Sequence, residues 1–324
     1  MRVLRRAVAA LIAGWLVLAS HAADAQGRAA QPVRIIVPYP AGGAGDVISR
    51  VLAQQIAESG GPTFVIENRP GAASLIGSDV AARAAPDGLT ILLVENPFIL
   101  GAVLHPTDHY HPVRSFDPIC YLADTPSVIA IAGNSPHRTL TEFLGAAKAK
   151  PGALSYGSTG PASTAHIAGE LLKRAAGIEL IYVPFAGTPP AVNAVLGGHV
   201  SAVIANYSDL KSQLETTALR PIAVPAQRRV APLPDVATLE EQGFGGIEAS
   251  IWFGFVAPAG TPKDRLAQFE KYFTAAIAVP EVSAKLNAVG LYPKVLCGAT
   301  FGAFIAREAA AYTTFVKDFD IRGE

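Results

Sequence analysis

Uninterrupted apolar runs, each followed by an amphipathic segment, constrain the fold of this chain more than any other feature of its sequence. "VRIIVPY" leads to "DVISRVLAQQIAES", "TFVIENR" leads to "SLIGSDVAARA", and "LTILLVE" follows. The helical segments carry apolar residues three and four apart, as in Val47, Val51, Leu52 and Ile56, so each has one face to bury. The strand segments are apolar throughout rather than alternating. That is the pattern of a parallel sheet covered on both faces, and repeated βα units of this kind specify a doubly wound α/β domain.

The pattern then restarts. "SVIAIAG" reads as a strand, "TLTEFLGAAKAKPG" as a helix stopped by Pro151 and Gly152, and "LSYGSTG" as a strand and loop. "STAHIAGELLKRAAG" is a helix, and "IELIYVPFAG", "TPPAVNAVLGG" and "VSAVIAN" follow as strand, helix and strand. After "IEASIWFGFVAP" the chain turns mostly helical and is expected to pack back on the first unit. A length of 324 residues suits two domains. The expected organisation is one lobe from residues 26–127 with 250–324, and a second from 128–249, with a cleft between them and crossings near 118–130 and 248–256. Trp252 and Phe253 fall at the second crossing, as hinge packing or as a lid.

Residues 1–25 are set apart as a secretory signal. Arg2, Arg5 and Arg6 precede the apolar stretch "AVAALIAGWLVLA", and Ala23-Asp24-Ala25 is a small-residue cleavage site, with cleavage expected after Ala25. The stretch is short for a membrane span, and Pro, Gly or charge interrupts every later apolar run. The mature protein is therefore expected to be exported and soluble. Lys+Arg and Asp+Glu both number 26, which leaves no basic field for nucleic acid or anionic lipid. A monomer without a cofactor is expected. Cys120 and Cys297 are the two cysteines. Cys120, in an apolar strand, reads as a buried thiol, and an oxidising compartment also permits one bridge.

The segment Ala41-Gly42-Gly43-Ala44-Gly45-Asp46 joins a strand to a helix. Glycines let backbone N–H groups approach a ligand, and the helix start aims its unpaired N–H groups and positive dipole end at the same point. A P-loop would need Gly-Lys-Ser/Thr, and a dinucleotide fingerprint would need glycine where Ile48 stands. A small anion such as a carboxylate fits better, and a tight turn capped by Asp46 is the plain alternative. Ser158, Thr159, Ser163 and His166 occupy a similar strand-to-helix loop in the second unit, rich in hydroxyl and backbone donors. A third such loop holds Phe185 and Thr188, and Tyr39 and Phe185 are candidate aromatic walls. Asn96, after a strand end, is expected to face the cleft. Glu67-Asn68-Arg69-Pro70-Gly71 reads as a structural turn with Arg69 paired locally.

The segments "VRIIVPYPAGGAGDVISRVLA", "VIENRPGAASLIGSDVAARAAPDGLTIL", "AKAKPGALSYGSTGPASTAHIAGELLKRAAGI", "YVPFAGTPPAVNAVLGGHV" and "LPDVATLEEQG…WFGFVAPAGTP" resemble, in order and over nearly the whole mature chain, the substrate-binding proteins of tripartite tricarboxylate transporters, the Bug or TctC-like family. The resemblance implies a two-lobed periplasmic binding protein of type II that closes like a flytrap on a carboxylated metabolite and delivers it to membrane permease subunits. It implies ligand contacts from Tyr39, Ala41, Gly42, Gly43, Ala44 and Asp46 on one side and Ser158, Thr159, Ser163 and His166 on the other, with Phe185, Asn96 and Asn206 around them. Three positions depart from the family pattern: Gly45 replaces a Thr or Ser, Ala205 replaces an Asp, and Ala186 replaces a Lys.

Other functions find less support. No G-x-S-x-G elbow is present and no acidic orienter is evident for His166, so no catalytic residue is assigned and a hydrolase is the minor reading. His105, Asp108, His109 and His111 form a His-rich tract, read as a solvated connector rather than a metal site. A receptor that presents its carboxylate to a sensor has the same sequence signature as a transport receptor.

Overall fold

The computed structural model describes residues 31–104, 110–160, 163–185 and 187–318. The expected signal segment, the tract from His105 to His109, and Ala186 lie outside the described residues.

The first half begins as the periodicity predicts. Strand β1 (Val33–Val37) leads to helix α1 (Ala44–Glu58), strand β2 (Phe64–Asn68) leads through a short 3-10 turn to α2 (Leu75–Ala82), and β3 (Thr90–Val94) leads to α3 (Asn96–Leu104). β1 pairs in parallel with β2 and β3. Ile48, Leu52 and Ile56, one face of α1, are buried against this sheet with Ile35 and Val37.

Next comes one long strand, β4 (Phe116–Ala132), which joins the strand-like run around Cys120 and the separate strand "SVIAIAG" of the sequence reading into one element. The second half follows as α4 (Leu140–Ala149), β5 (Ser155–Ser158), α5 (Thr164–Ala176), β6 (Ile181–Pro184), α6 (Thr188–Leu196), β7 (Ala202–Asn206), α7 (Tyr207–Glu215) and β8 (Leu219–Ala223). The chain returns through β9 (Ser250–Pro258), α8 (Lys263–Ile277), α9 (Pro280–Ala288), β10 (Tyr292–Cys297) and α10 (Gly298–Asp318).

The strand order is β2-β1-β3-β9-β4-β7-β5-β6, with β8 and β10 also paired to β4. β4 therefore belongs to both lobes. Through Pro126 it pairs with β9, and from Ser127 it pairs with β7. Pro126 cannot donate to a ladder, and it sits where β4 exchanges one partner for the next, so the proline interrupts neither sheet. The expected all-parallel sheet is corrected to a mixed one: β3–β9, β4–β9, β4–β7, β4–β8 and β4–β10 are antiparallel. Antiparallel β9 is as apolar as the parallel strands because both its faces are covered. An apolar run reports burial and not strand direction.

Each half has a core on both faces of its sheet. The terminal helices complete the first half. Phe273 of α8 stacks on Phe255 at 4.5 Å, and Phe301 and Phe304 of α10 enclose Trp252. Trp252 is buried at the crossing, packed against Tyr121 of β4 and the phenylalanines of α10. Cys120 and Cys297 form a disulfide between facing residues of β4 and β10, which corrects the reading of Cys120 as a buried thiol. Apolar surroundings fit both states, and only the antiparallel register identifies the partner.

Candidate functional site

The β1–α1, β5–α5, β6–α6 and β7–α7 loops all leave the carboxyl ends of parallel strands, where open α/β sheets receive ligands. In the first loop, Ala41, Gly42 and Gly43 are exposed and Ala44 is half-buried. Gly42 has φ +84°, a conformation that favours glycine.

Asp46 is buried and fully engaged within its own lobe. Its Oδ2 accepts from the Gly42 N–H at 3.0 Å and from Arg50 Nε at 2.9 Å, and its Oδ1 accepts from Asn68 Nδ2 at 3.1 Å. The Arg50 hydrogen bond is the main cause that holds its carboxyl at a pKa of about 2. Asp46 thus folds the loop and offers no free oxygen, and the Gly42 N–H is spent on it. Asn68 also donates to Tyr39 O at 3.1 Å, and Arg69 pairs with Glu67, so the Glu67–Gly71 turn braces the loop from behind. The open donors at this end are the N–H groups of Ala44, Gly45 and Asp46, which head α1 and have no backbone acceptor among the described residues; Ala44 and Gly45 are the first two.

In the second loop, Ser158 is buried, with its Oγ 3.2 Å from Ser163 Oγ and donating to Tyr182 Oη at 3.3 Å. Ser163 caps α5 by accepting from the His166 N–H at 3.1 Å. Thr159 is exposed at the tip. The His166 ring stacks on Tyr182 at 3.9 Å, with Nε2 3.8 Å from Glu170 Oε1, and burial lowers its pKa. A ring in the first helical turn can face the cleft or the neighbouring strand, and here it packs on Tyr182 of β6. Phe185 lies over Gly157, whose missing side chain leaves room for the ring. Asn206 precedes α7 and accepts from Ser127 Oγ at 3.4 Å.

Asn96, expected to face the cleft, uses its side-chain polar atoms within the first half of the fold. Its Nδ2 donates to Tyr312 Oη at 2.8 Å and its Oδ1 accepts from the Trp252 N–H at 3.1 Å. It pins α3 to α10 and β9, and both polar ends of its side chain are used.

Its neighbour, Glu95, was not singled out in the sequence. The signal was there: in "LTILLVEN" an acid closes a fully apolar run at the carboxyl end of a parallel strand. Glu95 is 8% exposed. A Cβ on Gly45 would lie 2.6 Å from Glu95 Oε1 and would also meet Leu93. Gly45 is therefore glycine because Glu95 and Leu93 occupy the space of its side chain. Burial, then the negative charge of Asp209 on α7, pushes the Glu95 pKa up to about 8. Asp209 accepts from Thr188 Oγ1 at the start of α6 at 3.0 Å.

A separate groove of about 980 Å³ runs between α5 and α10, lined by Thr164, Arg174, Tyr121, Trp252, Glu308 and Tyr312 among others. Asn96 is among its lining residues, and none of the described residues from 41–46 or 158–163 lines it. Of the histidine tract, His111 is described, and its Nδ1 accepts from the Val113 and Arg114 N–H groups in a turn.

Comparison with known proteins follows from this geometry. Residues 48–321 match the family described as tripartite tricarboxylate transporter family receptor. The chain is 31% identical over 291 residues to Protein BugT of Bordetella pertussis, covering 89% of each. It superposes with a TM-score of 0.75 on an R. palustris protein solved with adipate, at 28% identity over 89% of this chain and 97% of that one. It superposes with a TM-score of 0.73 on MatC of Rhodopseudomonas palustris with bound malate, at 25% identity over 89% and 99% of the two chains. The two-lobed α/β fold is that of periplasmic binding proteins.

Proposed function

The chain belongs to the tripartite tricarboxylate transporter family of receptors, and on that premise we propose that it is a periplasmic solute-binding protein for a small mono-, di- or tricarboxylate. The observation that carries this reading is the head of α1, whose first N–H groups have no backbone acceptor among the described residues; in this reading the hydroxyl-lined loop of Ser158 and Ser163 closes on it from the other lobe. Helix N-termini of this kind favour anions without requiring a cationic side chain.

In this reading the lobes, 26–127 with 250–324 and 128–249, close on the ligand. β4 runs through both and serves as the hinge. Ala44 and Gly45 receive one carboxylate, Ser158, Thr159 and Ser163 approach from the other lobe, and Tyr39, Phe185 and Asn206 shape the remainder. Asp46 and Asn96 hold the frame. The closed form is the state that membrane permease subunits of a tripartite carrier recognise. Binding and release are the whole cycle, and a cleavable leader ending at Ala25 brings the protein to the periplasm. Malate and adipate in the related structures make carboxylates the first class to test.

A thermal-shift panel of acetate, malate, adipate and citrate tests this. A ligand that binds only the native state at about a hundred times its Kd adds about 2.7 kcal/mol. At least one of the four acids is expected to raise the midpoint by several degrees. Equal midpoints with all four, together with a shift by an uncharged solute, would replace the carboxylate reading.

A further inference from the structure

Glu95 is a buried acid with no evident structural use. Its carboxyl reaches the first turn of α1, where Oε1 fills the space beside Gly45. It makes no side-chain hydrogen bond to any described residue. The groups around it give it no counter-charge. Tyr39, from the loop after β1, has a buried Oη beside Ser74 and lies within electrostatic reach of Glu95. Asp209, from α7 of the other lobe, is acidic. Asp46, on α1 itself, is already paired with Arg50. No Lys or Arg is among the groups that act on Glu95.

An ionised Glu95 would be an isolated buried charge, which is costly, and it would repel any anion at the neighbouring Ala44 and Gly45 N–H groups. A neutral Glu95 has the opposite effect, because its O–H is a donor and an acid–carboxylate hydrogen bond is a strong one. We propose that neutral Glu95 contacts the ligand, donating its O–H to the carboxylate held at the N-terminus of α1, and that ionisation of Glu95 closes the site to anions. This rests on the carboxylate reading of the preceding subsection. It gives Glu95 the role of a proton-dependent anion contact in a site without a cation. No covalent bond changes; the proton stays on Glu95 and is shared with the ligand oxygen. In the free protein burial and Asp209 bring the pKa of Glu95 to about 8, so the site is ready at neutral pH and fails in alkali. A bound anion holds the proton more firmly still, which couples binding to proton uptake.

Calorimetric titration of the protein with acetate, malate, adipate and citrate, at about pH 6 and about pH 9.5 and in buffers of different ionisation enthalpy, tests the proposal. Affinity for the best of the four is expected to fall about tenfold per pH unit above about pH 8, with about one proton taken up per ligand bound in that range. E95Q, which keeps a donor and has no proton to lose, is expected to abolish that alkaline fall. E95A, which has no donor, is expected to bind about tenfold more weakly or worse at about pH 6. Binding of equal strength at both pH values would overturn the proposal and leave the carboxylate reading standing. So would an E95Q variant that keeps the alkaline fall, because the titrating group would then lie elsewhere. Failure of all four acids to bind at about pH 6 would remove the carboxylate reading, and this inference with it.

Discussion

Replacing Cys120 and Cys297 together by Ser is expected to lower the unfolding free energy by about 3–5 kcal/mol, at the upper end of what one disulfide contributes. The size follows from the loop that the bridge closes. The two residues are 177 positions apart, and the whole second lobe lies between them. Loop-closure entropy grows with the logarithm of that length, so the unfolded chain loses much freedom when the bridge is intact. The bridge also ties β10 to the part of β4 that precedes Pro126. Urea unfolding of the double variant beside the oxidised protein measures the effect. Midpoints that coincide would mean the bridge carries no stability. A bridge of this kind suits an oxidising compartment, in keeping with the proposed periplasmic location.

Asp46→Ala is expected to cost about 2–4 kcal/mol of stability and to weaken carboxylate binding tenfold or more. The variant loses the acceptor of three hydrogen bonds and leaves the Arg50 guanidinium and the Gly42 N–H without it. The binding loss comes through the loop, since Asp46 sets the position from which the Ala44 and Gly45 N–H groups face the cleft. Linkage supplies a second readout. The folded pKa of Asp46 is about 2 against an ordinary value of 3.8. A lowered folded pKa gives stability that is complete above the unfolded value and is lost as pH falls toward the folded one. Asp46 thus contributes about 2 kcal/mol that disappears between about pH 4 and pH 2. The acid limb of the stability profile should be shallower in Asp46→Ala by that amount. An unchanged acid limb, or full binding with the carboxyl removed, would mean that Asp46 does not organise the loop.

Much of the fold is legible in the sequence because it is local. β1, α1 and β2 follow from apolar runs and three-four spacing, and Ser163 and Gly177 mark the two ends of α5 as a cap and a left-handed stop. What the sequence hides is non-local. "FDPICYLADTPSVIAIA" reads as separate pieces because Pro118 and Pro126 interrupt it, yet tertiary pairing makes one strand of it. Strand direction at β9 and the partner of Cys120 depend on which strands meet, which no local pattern encodes.

The site divides in the same way. The two Gly-rich and hydroxyl-rich loops are readable because a strand end, a small-residue loop and a helix start are consecutive in the chain. The use of each polar group is not readable. Asp46 turns to Gly42 and Arg50, Asn96 to Tyr312 and Trp252, and His166 to Tyr182, and each partner comes from another turn or another element. The missing hydroxyl at Gly45 looked like a loss from the sequence. In the fold the Glu95 carboxyl occupies that space.

The central claim is that a small carboxylate is held between the lobes by the head of α1. A crystal structure of the protein with whichever of acetate, malate, adipate or citrate shifts its midpoint most tests it directly. The account predicts one carboxylate group with its oxygens about 3 Å from the Ala44 and Gly45 nitrogens, facing Ser158 and Ser163 and in contact with Glu95. Density for the acid in the groove between α5 and α10, with the head of α1 holding only water, would contradict it.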